Sequence, residues 1–217
     1  MTRRTVTSLR DIAVPAYGPT ILASTATGAT LPVMALTARD LGASVGMAAF
    51  VVALLGLGQL AGDLPAGALV HRNGERAALL IACGAVALGM LGCPLARNVA
   101  MLAVAVLLVG VANSVFGLAR QAYLTDAVDV GLRARALSTL GGVHRIGIFT
   151  GPFIAAAVVS AWGINAAYGV GLLASALACL VVLACRDITA DHEQVQPQRG
   201  SQRVLPVLVR HRRVLLT

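Results

Sequence analysis

Gly58–Leu79, reading GQLAGDLPAGALVHRNGERAAL, decides the fold. The stretch starts inside an apolar run, carries one acid there, Asp63, and leaves the apolar phase at a short turn holding His71, Arg72 and Arg76. A second apolar run follows at once. Two long apolar segments joined by a tight, arginine-bearing turn predict two membrane helices hinged at the cytoplasmic surface.

Outward from this stretch the chain shows six apolar runs: Ala13–Thr37, Val45–Val70, Ala77–Leu95, Val99–Tyr123, Leu137–Ala161 and Ala166–Ala184. Each is close to the ~20 residues that cross a bilayer as a helix. Lipid offers no partner to a backbone amide, so runs of this length must be helical, and Pro19, Pro32, Pro65 and Pro152 become kinks within them. Composition agrees. Of 217 residues 58% are hydrophobic and 12% charged, with a mean hydropathy of +0.83. A soluble domain of this size could not hide so much apolar surface. The expected fold class is an all-α membrane protein of six transmembrane helices at residues 12–185, with a short N-terminal segment at 1–11 and a basic linker at 186–217.

The formal charge is +8, and all seventeen basic residues are arginine. They lie between apolar runs with few aromatics among them, which makes them a topology signal and not a nucleic-acid surface. Arg3, Arg4 and Arg10 precede the first run, Arg72 and Arg76 follow the second, and Arg133 and Arg135 follow the fourth. Arg186, Arg199, Arg203, Arg210, Arg212 and Arg213 follow the sixth, against Arg39 and Arg97 on the other side. By the positive-inside rule both termini are cytoplasmic, in a multi-pass protein of the inner (plasma) membrane. Cys83, Cys93, Cys179 and Cys185 fall within or at the end of apolar runs, without C-x-x-C or a histidine pair, so neither a metal nor a cofactor is expected.

The spacing Gly67-x-x-x-His71-Arg72-x-Gly74-x-Arg76 resembles the signature loop between helices 2 and 3 of the major facilitator superfamily, G-x-L-x-D-R-x-G-x-R. His71 stands where that pattern has an acid. On the fifth run, Gly147-x-x-x-Gly151-Pro152-x-x-Ala155 resembles a motif of the antiporter branches of the family, with Ala155 in place of the last glycine. A shift of 89 residues lays Gly62–Ala78 over Gly151–Ala167, matching Gly62, Ala66, Ala68, Val70, Gly74, Ala77 and Ala78 with identical residues. Three helices repeated in inverted orientation are the 3+3 plan of half such a transporter.

The resemblance implies no enzyme. It implies the N-terminal six-helix half of a permease that moves a small organic solute by alternating access, as proton-coupled efflux. The implied partners are the lipid bilayer, the solute, protons, and either a separate C-terminal half or a second copy in a homodimer. The alternative is a truncated, non-transporting membrane protein or scaffold, because the ending Arg210–Thr217 looks like the lead-in to a seventh helix. An intramembrane protease is disfavoured, since Ser138 and His144 share one helix at unsuitable spacing. A head-group transferase is disfavoured too, since Asp63 has no companion acid in its helix.

Three groups of residues are candidates for the work. The resemblance makes Gly67, His71, Arg72, Gly74 and Arg76 a cytoplasmic latch, its arginines pairing with Asp126 and Asp129; the plainer reading is that Arg72 and Arg76 only set topology. Asp63 is costly in a bilayer and either carries a proton or forms a structural ion pair with Arg145 or Arg120. The ion pair is the preferred reading, because either charge buried alone would cost several kcal/mol. Gly147, Gly151, Pro152 and Ala155 form the third group: two glycines four apart give a flat face for close packing, and the proline removes a backbone bond. Tyr17, Ser24, Thr25, Thr27, Asn113 and Ser114 could line a polar cavity, although membrane hydroxyls more often bond their own backbone, and His144 reads as relay or packing residue.

Overall fold

The computed structural model describes residues 16–184; the expected N-terminal segment and basic linker lie outside them. Five helices follow in order: α1 Gly18–Asp40, α2 Val45–Gly92, α3 Val99–Ala127, α4 Val130–Trp162 and α5 Ile164–Ala184. All five are long and apolar enough to cross a membrane.

Local chemistry sets the ends. Pro19 opens α1, where its missing N–H has no helical partner to lose. The α1–α2 turn uses Gly42 at φ +85°, and the Ser44 hydroxyl then accepts from the Met47 amide at 3.2 Å. Asn98 caps α3, its side-chain oxygen accepting from the Met101 amide at 2.8 Å.

The 48 residues of α2 would run about 72 Å if straight, over twice the ~30 Å hydrocarbon core. The helix is broken at Gly74, whose φ of 80° and ψ of 160° are non-helical. Where the sequence predicts a turn over His71–Arg76, the structure spends one residue, and helix continues to Asn73 and resumes at Glu75. Only glycine adopts this backbone without a Cβ clash. The same happens between α4 and α5 at Gly163, with φ 86° and ψ 172°. A second difference lies at the start of α4, expected at Leu137 and found at Val130. Arg133 and Arg135 therefore occupy its first turns. The extension is held by Ala136 and Leu140, which bury against Leu124, Val128 and Ala16.

Packing is governed by glycine. An added Cβ on Gly58 would stand 2.5 Å from the Leu107 carbonyl oxygen, and one on Gly62 3.0 Å from the backbone of Val111. On α4, an added Cβ on Gly147 would strike Ser24, and one on Gly151 would run into the Ala29 amide nitrogen. Thus α2 lies on α3, and α4 on α1, at backbone distance. Pro152 cannot donate to the Ile148 carbonyl, and that oxygen sits where a Cβ of Gly28 would be. The glycine thus turns a Cα–H toward an acceptor that the proline has left free. The interior is otherwise small and apolar, with Tyr168 its largest fully buried side chain. The hydroxyl of Tyr168 bonds that of Thr37 at 2.9 Å. By contrast Phe149, Phe153 and Trp162 of α4 are 71%, 65% and 76% exposed.

Replacing Gly151 with valine should destabilise the bundle by at least the 1–3 kcal/mol typical of overpacking, since the obstacle is backbone. Gly46→Ala, with nothing within 4 Å of the new methyl, is the control. Thermal melting in detergent should separate the two. Equal melting temperatures would show that the α1–α4 contact is looser than described.

Candidate functional site: the membrane acid and the Gly74 turn

Asp63 lies on the first segment of α2, next to Gly62. Its carboxylate accepts a hydrogen bond from the Ser114 hydroxyl of α3 at 2.5 Å, a short, charge-assisted bond. The glycine brings the partner in: an added Cβ on Gly62 would stand 3.0 Å from Cβ of Ser114. The ion pair preferred from the sequence is not formed. Among the described residues no arginine bonds Asp63, and Arg145 is exposed on α4. A hydroxyl satisfies one lone pair without neutralising the charge. The acid is otherwise exposed, among the bare apolar side chains Leu60 and Leu64.

Arg120 leans over the Phe116 ring one turn earlier on α3, 5.9 Å from its centroid, a cation–π contact. Its Nε is buried without a hydrogen-bond partner, as is Nδ1 of His144 on α4. The two residues are near enough for the arginine charge to act on the imidazole. This Arg120–His144 juxtaposition was not foreseen from the sequence.

The hydroxyls of α1 mostly turn inward on their own helix. Ser24 donates to the Thr20 carbonyl at 2.8 Å and Thr27 to that of Ala23 at 2.9 Å. Only a long 3.5 Å contact links Asn113 to Thr27, so these residues do not build a polar wall. Gly147, Gly151 and Ala155 are buried in the seam with α1, while Pro152 is exposed.

At the Gly74 break, His71 and Arg72 are exposed. Arg76 donates to the Leu183 carbonyl of α5 at 3.3 Å, a bond that ties the second segment of α2 to the end of the last helix. Arg133 donates to the Val128 carbonyl at 3.2 Å. The arginines thus serve main-chain carbonyls. Asp126, the expected latch acid, is instead joined by a side-chain hydrogen bond to Glu75, the residue between Gly74 and Arg76. Two carboxyls can share such a bond only if one holds a proton. Burial, then the Asp126 charge, then that bond push Glu75 up to about 7. Glu75 was passed over in the sequence, although an acid inside an arginine turn was its own signal.

Residues 19–217 match the family described as Major Facilitator Superfamily. No curated protein matched the chain.

Because Glu75 binds its proton more tightly folded than at its ordinary 4.5, the folded chain holds more protons than the unfolded one between pH 4.5 and about 7. Stability should therefore fall as pH rises through this window. Melting temperatures from pH 5 to 8 should decline in the wild type and flatten in Glu75→Gln. An unchanged slope in that variant would assign the titration to another group.

Proposed function

We propose that this chain, which belongs to the Major Facilitator Superfamily and therefore moves a solute across a membrane, does so as a proton-coupled exporter of small organic molecules. The observation that carries the proton coupling is Asp63. It is the one acid within the apolar runs, it is exposed to the bundle exterior, and a single hydroxyl holds it in place. An acid standing in an apolar stretch without an arginine partner is costly to keep there, which makes it the candidate carrier of the coupled proton.

Several features support six crossings in a 3+3 inverted plan. Gly74 splits α2 into two segments, at residues 45–73 and 75–92. Under the 89-residue shift Gly74 meets Gly163, and both hold the same unusual backbone. Gly58, Gly62 and Ala66 meet Gly147, Gly151 and Ala155, all buried in helix seams. The arginine distribution supports cytoplasmic termini and a cytoplasmic Gly74 turn in a plasma membrane. At that turn we assign the latch to Glu75 and Asp126, with Gly67, Arg72 and Arg76 framing it.

Alternating access needs a second bundle facing the first. Of the five helices α4 is the least buried and α2 the next. Their bare faces, with Leu64 at 87% exposure and the Phe149–Phe153 pair, whose tilted rings have centroids 5.4 Å apart, are where we dock it. It is either a C-terminal half or a second copy of this chain.

Inverted vesicles given a proton gradient and a panel of fluorescent cationic and neutral drugs test the reading. Wild-type vesicles should accumulate at least one compound, and Asp63→Asn at equal abundance should lose gradient-driven uptake by at least tenfold, with Asp63→Glu retaining part. Gradient-driven uptake by Asp63→Asn at the wild-type rate would remove the coupling role from Asp63.

A further inference from the structure

Beside the Gly74 break, the two segments of α2 and the middle of α3 enclose an open groove of about 380 Å³. Its walls are aliphatic, with Leu69 on the first segment, Ile81 and Ala85 on the second, and Leu108 on α3. Polar groups occur in the lining at one end only, where Arg72 and Asn73 stand next to the break. Both are exposed, and among the described residues neither side chain has a partner. The groove has nothing to hold a polar solute along its length, but at its mouth it presents an unneutralised cation and an amide.

Its depth identifies the occupant. Ala85 lies eleven residues beyond Gly74, about 16 Å along a helix. Half of a ~30 Å hydrocarbon core is about 15 Å. The apolar walls therefore run the depth of one leaflet, and the cation sits where that leaflet has its headgroups. Basic residues at the cytoplasmic end of a groove between membrane helices suit anionic headgroups.

We propose that this groove is a binding site for one anionic phospholipid, its acyl chain along Leu69, Ile81, Ala85 and Leu108 and its phosphate against Arg72 and Asn73. The site rests on the reading above that the Gly74 turn lies at a membrane surface, but not on any solute or coupling ion. A zwitterionic lipid would bring its own ammonium toward Arg72, so net negative charge is selected. The lipid would wedge the two segments of α2 apart from α3 at the place where the helix already changes direction.

Native mass spectrometry of the full chain, released from detergent carrying equal dioleoyl phosphatidylglycerol and dioleoyl phosphatidylcholine, reads the site directly. One phosphatidylglycerol should be retained over phosphatidylcholine by about fivefold, the ratio that one arginine at an anionic surface confers. Arg72→Gln should bring the two lipids to parity, and Ala85→Trp, which fills the groove, should remove most of both. Arg76→Gln, whose side chain faces α5, should keep the preference. Parity in the wild type, or a preference surviving Arg72→Gln, would overturn the proposal. So would a dimer peak that Ala85→Trp abolishes while bound lipid stays constant, since the occupant would then be a second copy of the chain. Efflux retained in a protein that shows no lipid preference would reject the lipid site alone and leave the transport reading standing.

Discussion

Close approach of helix backbones is the constraint on which this bundle depends. In lipid an apolar side chain gains nothing by leaving its surroundings for a neighbouring helix, so association rests on contact distance and a few polar bonds. The chain meets that requirement with glycine in two seams, Gly58 and Gly62 against α3, and Gly147 and Gly151 against α1. The position of Asp63 is a by-product of the first seam. The backbone contact at Gly62 brings α3 so near that the Ser114 hydroxyl reaches the neighbouring carboxylate. Had Gly62 been alanine, the acid would have needed another partner.

Much of this could be read in the sequence, for reasons that are local. Run length and apolarity fix helices in lipid, and the caps at Ser44 and Asn98 and the proline opening α1 behave as short-range chemistry requires. The Gly-x-x-x-Gly pairs announced close packing. What escaped was register between helices. The charge rule offered Arg120 and Arg145 as partners for Asp63, but whether a side chain on another helix faces that acid depends on helix rotation, which spacing along one chain does not encode. Glu75 escaped for a different reason. Arginines on either side drew it into their topology signal, while its own partner lay on α3, 51 positions along.

Polar residues in the bundle divide by what they bond. Thr20, Ser24, Thr27, Thr30 and Thr37 return their hydrogens to carbonyls one turn back, so the apparent polarity of α1 is spent within the helix. Three cross-helix bonds do different work: Tyr168 with Thr37, Ser175 with the Cys83 carbonyl, and Ser114 with Asp63. The first two lie in the core and fix α5 against α1 and α2. The third joins a buried serine to an exposed acid.

The lone tryptophan has a consequence of its own. Trp162 is the last residue of α4, a helix of 33 residues and about 50 Å, and Asp126 lies just before the start of that same helix. With no other indole in the chain, ultraviolet emission comes from one spot on the bundle, at the far end of a single helix from the Glu75–Asp126 proton. The molecule thus carries a built-in optical reporter whose colour tracks the wetness around one end of α4, while the titrating groups sit at the other end.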